Sequence, residues 1–300
     1  MNALIIGAGA VGRGLLGVRL LEAGHAVTFM EDNAEILNRL KCGYYPVKSM
    51  LDSPAQWYGP VGLYAGVLDG TVFVSVRVEN LPAVAEWLLS QPRETENVVV
   101  CENSPNAAGQ LKKLVGNRFN CVNAIVEAVI PEMPSYWKDI DPTLTYTDPS
   151  GQLLIDYAAW YGEKVAGLGY IKEFDLAWDL KWYCHCAIHF IVGALGQKAG
   201  YKYVHEAVRD RAIADKLNKL YIEIARAGLA KWGDAEPFRE RAHQEVRALS
   251  STARPDTCER VMRDAERKLQ PGERVLGLLE FVGGKNEVIE EAIEWAMQSL

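Results

Sequence analysis

One short segment of the sequence, from Lys181 to His189, brings together an amine, two imidazoles and a thiol. On a helix of about 3.6 residues per turn, Lys181, His185 and His189 fall at about 0°, 40° and 80°, with Cys186 at about 140°. One helix face would therefore present all four groups to a single substrate. Because lysine and histidine side chains serve as general acids and bases, this segment is the first candidate for catalysis.

Glycines near the amino terminus indicate a phosphate-binding turn. The run Gly7-Ala8-Gly9-Ala10-Val11-Gly12 directly follows an apolar segment, Ala3 to Ile6, and opens an amphipathic stretch. This is the order of strand, turn and helix that the G-x-G-x-x-G dinucleotide fingerprint requires. The first glycine allows the tight turn, the second lets backbone N–H groups approach a pyrophosphate, and the third permits close packing of helix on strand. The predicted cofactor contacts of this turn are Gly7, Ala8, Gly9, Val11 and Gly12.

An acidic pair at the end of the next predicted strand favours NAD over NADP. The strand Ala26 to Met30 leads into Glu31, 22 residues after Gly9. A carboxylate at this place accepts hydrogen bonds from the adenosine ribose hydroxyls. Glu31 and Asp32 would also repel a 2′-phosphate, and no arginine follows at once.

The composition is that of a globular chain with room for about two domains. Of the 300 residues, 49% are hydrophobic and 24% are charged, and the formal net charge is −7. Such an acidic surface repels a phosphate backbone, so we expect no nucleic-acid partner. No uncharged apolar run approaches the roughly 18 residues of a membrane span, and the apolar start lacks the basic flank of a signal peptide. We expect a cytoplasmic protein without a membrane anchor, and the six scattered cysteines favour reduced thiols.

Two different sequence patterns divide the chain into an expected dinucleotide-binding domain, residues 1–172, and an expected helical substrate domain, residues 173–300. In the first, apolar β-rich runs alternate with helical stretches, which predicts an α/β Rossmann domain with a parallel sheet. The second shows helical periodicity almost throughout. The predicted strands are Ala3–Ile6, Ala26–Met30, Thr71–Val78, Asn97–Cys101, Cys121–Ile130, Thr143–Thr147 and Gln152–Tyr157. The predicted helices of the second domain are Asp175–Ala199, Val204–Trp232, Pro237–Ser250, Thr257–Leu269 and Gly272–Ser299, and the pair Gly283-Gly284 predicts a break within the last of them.

The segment from Lys181 resembles the catalytic helix of the polyol-specific long-chain dehydrogenase family, the mannitol and mannitol-1-phosphate dehydrogenases. That helix reads Lys-x4-Asn-x2-His in the family. Lys181 and His189 match its lysine and histidine, and Cys186 stands at the asparagine. The resemblance covers most of the chain. Further similar segments are Gly7 to Gly14, Cys101-Glu102-Asn103, Val122 to Pro131, Leu195-Gly196, Ala199-Gly200, Arg260-Val261, Arg263, Arg267-Lys268-Leu269 and Gly272-Glu273-Arg274.

The resemblance implies an NAD-dependent oxidoreductase that interconverts a linear polyol, such as mannitol or its 1-phosphate, with the corresponding ketose. It implies that Lys181 is the general base and that His189 orients the substrate hydroxyl. It also implies that Asn103 donates a hydrogen bond to the developing alkoxide. Because a thiol such as that of Cys186 is a poor donor, we expect His185 to supply the second hydrogen bond to the alkoxide.

The remaining site residues come from flanking segments. By the same resemblance, Glu102 is expected in the cofactor site and Glu127 in the substrate site. The basic run from Arg254 to Arg274 is either a solvated helix face or an anchor for a substrate phosphate. In the second case the anchoring side chains are Arg263, Arg267 and Lys268. The expected ligands are NAD and a small polyol or sugar phosphate, with no metal and no obligate protein partner.

Three other interpretations stay open. The spacing of His185 and His189, with Cys184 and Cys186 close by, also suits a zinc ion. A 2-keto-acid reductase similar to ketopantoate reductase would also carry a glycine fingerprint and a helix lysine. The third alternative is a nucleotide-binding regulator that kept the NAD site but lost turnover with the asparagine.

Overall fold

The computed structural model describes residues 1–49, 54–66, 70–92, 97–104, 106–128, 139–148, 151–252 and 256–299. The chain divides into two compact units, Met1–Phe174 and Asp175–Leu300, and each is described by itself. Some residues in the segments predicted from the sequence lie outside the described ranges, namely Val129, Ile130, Pro131 and Arg254.

The first unit is built on short strands of mostly apolar residues. In chain order the strands are β1 (Asn2–Ile6), β2 (Ala26–Met30), β3 (Tyr45–Ser49), β4 (Gln56–Tyr58), β5 (Val61–Leu63), β6 (Thr71–Val74), β7 (Val98–Val100), β8 (Cys121–Glu127), β9 (Thr145–Thr147), β10 (Gln152–Asp156) and β11 (Gly169–Ile171). Within the described residues, eight of them form one sheet in the order β11-β10-β8-β7-β6-β1-β2-β5. Every neighbouring pair is parallel except β8 with β10, so the predicted α/β fold is confirmed.

Strand β1 lies where the strand order reverses. The chain moves outward from β1 to β2 on one side, and β6 pairs with β1 on the other. Ile6, the last residue of β1, pairs with both Met30 and Val74. In open α/β sheets, ligands bind at such a switch point, at the carboxyl ends of the strands. The glycine turn follows β1 directly and therefore stands at this point.

Alternate residues of β1 face two different cores. Ala3 and Ile5 belong to one apolar cluster, and Leu4 and Ile6 belong to another. All four residues are at most 6% exposed. A strand that is covered on both faces needs apolar side chains at every position, which explains why this unbroken apolar run forms a central strand.

Helices cover both faces of this sheet. They are a π-helical segment (Gly12–Gly17), α1 (Val18–Glu22), α2 (Ala34–Leu40), α3 (Leu81–Ser90) and α4 (Ala107–Val115). Residues of α1 join the core cluster of Ile5, whereas residues of α3 and α4 join the cluster of Leu4.

The predicted strand Thr71–Val78 is wrong in its length, because β6 ends at Val74. Val74 pairs with Ile6 and Val100, which are the last residues of β1 and β7. Without a partner strand on either side, the chain leaves the sheet and forms a short 3-10 turn at Val78–Asn80.

The sequence does not predict β3, β4, β5 or β11. β3 contains Pro46, which argues against a strand interior, and the other three have three residues each. β3 forms a separate sheet with β4 and β9. β9 begins at Thr145, not at the predicted Thr143, because Asp141 holds Thr143 in a local turn. The Asp141 carboxylate accepts hydrogen bonds from the Thr143 N–H at 2.8 Å and from its hydroxyl at 2.6 Å.

The described part of the second unit is helical. Its elements are α5 (Phe174–Asp179), a π-helical segment (Leu180–Ala187), α6 (Ile188–Lys198), α7 (Val204–Ala207), α8 (Arg211–Trp232), α9 (Glu236–Leu249), α10 (Cys258–Met262), α11 (Ala265–Lys268), α12 (Arg274–Phe281) and α13 (Glu287–Gln298). The first three follow one another without a break. No helix in the described part of the chain is long and apolar enough to cross a bilayer.

Local backbone features interrupt three of the predicted helices, Val204–Trp232, Thr257–Leu269 and Gly272–Ser299. Asp210 accepts hydrogen bonds from the N–H groups of Ala212 and Ile213 and so begins α8 anew. Asp264 has a φ of +56°, a left-handed conformation that separates α10 from α11. The pair Gly283-Gly284, with φ values of +105° and +82°, separates α12 from α13. The predictions of Val204–Trp232 and Thr257–Leu269 are therefore each wrong at one internal position, whereas the break at Gly283-Gly284 is confirmed.

Two helix glycines of the second unit have different surroundings. A Cβ atom at Gly228 of α8 would lie 2.3 Å from Cδ2 of Phe238, a core residue of α9 that is 1% exposed. A Cβ atom at Gly277 of α12 would have its nearest neighbour at 3.6 Å, an ordinary contact distance. Only the first glycine is required by packing.

We expect Gly228→Ala to lower the free energy of unfolding by about 1–3 kcal/mol, because the added methyl group overpacks the contact with Phe238. The matched variant Gly277→Ala should leave it unchanged or raise it by up to about 1 kcal/mol, since alanine is the better helix former. Urea unfolding followed by tryptophan fluorescence measures both. A Gly228→Ala variant as stable as the wild type would contradict the packing described.

Candidate active site

Two close backbone approaches shape the glycine turn. Gly7 has a φ of +91°, and its N–H donates to the Met30 carbonyl at 2.8 Å. A Cβ atom at Gly12 would lie 2.1 Å from the Gly7 carbonyl oxygen, so the helix starts directly against the turn. At Gly9, by contrast, no described atom lies within 4 Å of the position that a Cβ would take. The turn is therefore closed at Gly7 and Gly12, where other backbone atoms lie too close for a side chain, and open at Gly9, where the space is free of described atoms. Gly9 is the glycine at which the fingerprint brings the backbone close to a pyrophosphate.

The carboxylate of Glu31 ties the glycine turn to the end of β2. Its Oε2 accepts a hydrogen bond from the Ala8 N–H at 2.7 Å. Its Oε1 accepts from the N–H groups of Asp32 and Asn33, both at 3.0 Å. These bonds hold the carboxylate at the carboxyl end of β2, where the sequence predicts the ribose contact. Asp32 itself is exposed and Val11 is half-buried.

Arg13 is a buried cation that the sequence analysis did not select, although it directly follows the fingerprint. Its Nη1 donates to the Ala8 carbonyl, and its Nε donates to the Thr143 carbonyl at 3.0 Å. Burial lowers the pKa of Arg13 to about 10, partly offset by the charge of Glu31. The guanidinium therefore stays charged at neutral pH. Together with the helix N-terminus, it favours an anion at the turn.

The residues Lys181 to Cys186 lie in a π-helical segment, Leu180–Ala187. The wheel of 3.6 residues per turn is therefore wrong for them. Hydrogen bonds in a π-helix join residues five apart, which brings Cys186 nearer to the side of Lys181 than predicted. Such segments are rare and concentrate at functional sites. The other one in the described residues, Gly12–Gly17, directly follows the glycine turn.

Lys181 and Cys186 are both buried in the second unit, with 4% and 9% exposure. Burial also raises the pKa of the neighbouring Cys184 thiol to about 12, which keeps it protonated. Among the described residues, no three histidine, cysteine, aspartate or glutamate side chains are grouped so that they could hold a metal ion.

His185 pairs with a carboxylate from another helix. Its Nδ1 lies 2.6 Å from Oε1 of Glu245 on α9, and Glu245 is 3% exposed. Burial alone would raise the pKa of Glu245, but the charge and hydrogen bond of His185, with the charge of Arg241, hold it below its ordinary value. The carboxylate is therefore ionised at neutral pH.

His189 is neutral and faces a second carboxylate. The centroids of its ring and the His185 ring are 5.7 Å apart, so the structure brings the two predicted imidazoles together. Its Nε2 is buried, lies 3.4 Å from Oδ2 of Asp256 and makes no hydrogen bond. Burial, followed by the charges of His185, Arg260 and Lys181, lowers the pKa of His189 to about 3. Because Asp256 and not solvent lies next to Nε2, the predicted contact of His189 with a substrate hydroxyl stays a prediction.

Three further predicted residues lie at the carboxyl ends of β7 and β8 in the first unit. The side-chain N–H of Asn103 donates to the Val126 carbonyl, and its Oδ1 accepts from the Val126 N–H, both at 3.0 Å. Among the described residues, this pairing occupies one of the two amide N–H groups of Asn103. Glu102 and Glu127 are half-buried beside it, and Glu127 pairs with Gln152 of β10.

The three predicted phosphate contacts, Arg263, Arg267 and Lys268, have different surroundings in the structure. The Nζ of Lys268 donates to the carbonyls of Val261, at 2.8 Å, and Arg263, and so closes the end of α10. Burial and the charge of Arg274 lower the pKa of Lys268 to about 8. Arg267 lies 3.5 Å from Glu273, and Arg263 is exposed. Phosphate binding by these residues stays a prediction.

The two carboxylates that face the histidines, Glu245 and Asp256, are not among the site residues predicted from the sequence. Glu245 is 60 residues from His185 in the chain, so no local spacing connects them. One signal is nevertheless present in α9, because Glu245 occupies the buried helix face that also contains Phe238, Ala242 and Leu249. A carboxylate in an otherwise apolar stripe requires a buried partner.

The known proteins that resemble this chain over most of its length include dehydrogenases. No protein-family model matches the sequence. The chain is similar to the mannitol-1-phosphate 5-dehydrogenase of Thermoanaerobacter pseudethanolicus, with 25% identity over 317 residues, 92% of this chain and 79% of the relative. The corresponding enzyme of Paenarthrobacter aurescens is 24% identical over 327 residues, 98% of this chain and 83% of the relative.

Solved structures share the fold at lower identity. The Pseudomonas fluorescens mannitol 2-dehydrogenase, in a ternary complex with NAD and D-mannitol, has a TM-score of 0.68 at 12% identity, with 99% of this chain and 79% of that chain covered. A ketopantoate reductase from Ralstonia eutropha has a TM-score of 0.62 at 17% identity, with 99% and 97% covered. At these identities the similarity concerns the fold.

The lowered pKa of His189 predicts how stability depends on pH. Between about pH 6.5 and 3 the unfolded chain binds a proton at this histidine that the folded chain does not, so acidification destabilises the fold. The wild type should therefore lose unfolding free energy as the pH falls. In His189→Gln this loss should be smaller than in the wild type, by up to about 1.4 kcal/mol per pH unit. Urea unfolding at pH 7, 6 and 5 measures this slope.

The matched control is His243→Gln, at an exposed histidine of α9. A difference in unfolding free energy between a variant and the wild type that is the same at every pH would reflect packing alone. If the free energy of unfolding depends on pH in the same way in the wild type and in His189→Gln, His189 does not resist protonation in the folded protein.

Proposed function

We propose that this protein is an NAD-dependent dehydrogenase that interconverts a secondary alcohol of a linear polyol, or of a polyol phosphate, with the corresponding ketose. The observation that carries the cofactor assignment is the turn closed at Gly7 and Gly12, open at Gly9 and tied by Ala8 to Glu31. The substrate class is supported by the similarity to two mannitol-1-phosphate 5-dehydrogenases over 92% and 98% of the chain.

The first unit would hold the dinucleotide. Backbone N–H groups around Gly9 and the helix N-terminus would bind the pyrophosphate, with the charge of Arg13 behind them. Glu31, already fixed by three backbone N–H groups, would accept the ribose hydroxyls. The same carboxylate and the exposed Asp32 would repel a 2′-phosphate. When bound, NAD exchanges a hydride at C4 of its nicotinamide.

The second unit would supply the proton acceptor. Lys181 takes the hydroxyl proton when the alcohol is oxidised and returns it when the ketone is reduced. Its burial excludes competing water from the amine. The other amide N–H of Asn103 would donate to the developing alkoxide.

Lys181→Met should lower kcat by about 10²–10⁴-fold, the range expected for loss of a general base. The assay follows NADH oxidation at neutral pH with a panel of ketoses, ketose phosphates and 2-keto acids. The matched control is Lys198→Met on α6, where a 43% exposed side chain pairs with Glu291. A Lys181→Met variant with wild-type turnover would exclude this lysine as the base.

A 2-keto-acid reductase is the second candidate. It is favoured by the ketopantoate reductase structure, of which this chain covers 97%, compared with 79% of the mannitol 2-dehydrogenase. Turnover of a 2-keto acid but no ketose in the panel would establish it. NADH binding without any turnover would instead favour a nucleotide-binding regulator.

Gly9→Ala separates cofactor binding from folding. A methyl group at this position meets no described atom, so the thermal midpoint should stay within about 2 °C of the wild type, the shift of a sub-kcal/mol change. The methyl group would, however, keep the pyrophosphate from the backbone, and the Kd for NADH should rise tenfold or more. Fluorescence titration with NADH measures it. Unchanged NADH affinity would place the cofactor elsewhere.

A further inference from the structure

The pair of Glu245 and His185 joins the buried core of the second unit to its surface. The two side chains are 2.6 Å apart, and their exposure differs strongly, with 4% for the Glu245 side chain and 22% for that of His185. The Glu245 side chain is thus enclosed, whereas the His185 side chain is partly exposed to solvent. The pair forms between α9 and the π-helical segment that also carries Lys181.

The charge of Glu245 determines which nitrogen of His185 carries the proton. An ionised carboxylate accepts hydrogen bonds and cannot donate them, so Nδ1 must be the donor. The neutral ring then has its lone pair at Nε2. A proton taken up there produces an imidazolium that the carboxylate stabilises, as in a Ser-His-Asp triad. The neutral ring therefore cannot donate to an alkoxide from Nε2, in contrast to the role expected from the sequence.

Lys181 needs a route by which its proton reaches water. The residue is 4% exposed, so its ammonium has almost no contact with solvent. His185 follows four residues later on the same segment and is partly exposed. His189 cannot serve this purpose, because its Nε2 is buried and its pKa of about 3 keeps it unprotonated at neutral pH.

We propose that His185 is the proton exit of the dehydrogenase reaction and that Glu245 is the positioning residue that fixes its tautomer. In alcohol oxidation the hydroxyl proton passes to Nζ of Lys181 and then to Nε2 of His185. The imidazolium loses it to water, which restores the neutral ring. Ketone reduction takes up one proton from water by the reverse steps. This proposal rests on the proposed dehydrogenase function.

Chemical rescue tests the exit directly, with the substrate that the NADH-oxidation panel identifies. In weak buffer, His185→Ala should lower kcat by roughly 10–100-fold, with KM nearly unchanged. Added imidazole should restore kcat in this variant but not in Lys181→Met. Glu245→Gln should lower kcat by roughly tenfold, and Glu240→Gln, an exposed carboxylate of the same helix, should not change it. If His185→Ala does not fold, His185→Gln gives the same test.

A folded His185 variant with the kcat of the wild type would overturn the proposal that His185 is the proton exit. A loss of activity that imidazole does not rescue would overturn it as well. A second measurement needs no turnover. With ¹⁵N-labelled histidine, the five imidazoles can be assigned by substitution, and His185 should be the Nδ1–H tautomer. Glu245→Gln should introduce the Nε2–H form, and an unchanged tautomer would overturn the role of Glu245. If the wild type turns over no substrate, the proposed function fails, while this measurement still decides what Glu245 does.

Discussion

The burial of ionisable side chains is the constraint on which the candidate catalytic helix depends. An ionised group that is removed from water costs several kcal/mol unless it is partnered. The second unit meets this cost in different ways. Glu245 stays ionised because His185 binds it at 2.6 Å, and His189 avoids a charge altogether, with a pKa of about 3. Lys268 donates to two backbone carbonyls and has a pKa lowered to about 8. Glu245, His189 and Lys268 therefore occupy buried and half-buried positions of the second unit, and none of the three is a buried charge that lacks a partner.

In the first unit, the candidate cofactor site depends on the geometry of the backbone. The helix begins so close to the turn that a Cβ at Gly12 would overlap the Gly7 carbonyl. This approach directs the N–H groups of the turn to the switch point of the sheet. Arg13 and Glu31 then hold the same residue, Ala8, through its carbonyl and its N–H. The proposed anion site and the proposed ribose acceptor are thus parts of one small hydrogen-bonded unit.

The sequence predicts those features that depend on neighbouring residues. The fold class, the central strands and the glycine turn follow from short patterns, and the structure contains all of them. The partner of His185 could not be found in this way, because Glu245 lies 60 residues away and only the folded chain brings the two together. The directions of Lys181 and Cys186 were wrong because the segment is π-helical and the wheel assumed 3.6 residues per turn. β3 was missed because Pro46 is usually excluded from strands.

The basic run of the second unit is mostly paired within the chain. Most of its described cations already have an acidic or carbonyl partner. The pairs are Arg260 with Asp256, Arg267 with Glu273, Arg274 with Glu273, and Lys268 with the carbonyls of Val261 and Arg263. Arg274 also stacks on Trp182, with its guanidinium carbon 4.7 Å from the ring centroid. The charges of these cations are therefore largely balanced within the chain, and phosphate binding by Arg263, Arg267 and Lys268 stays a prediction.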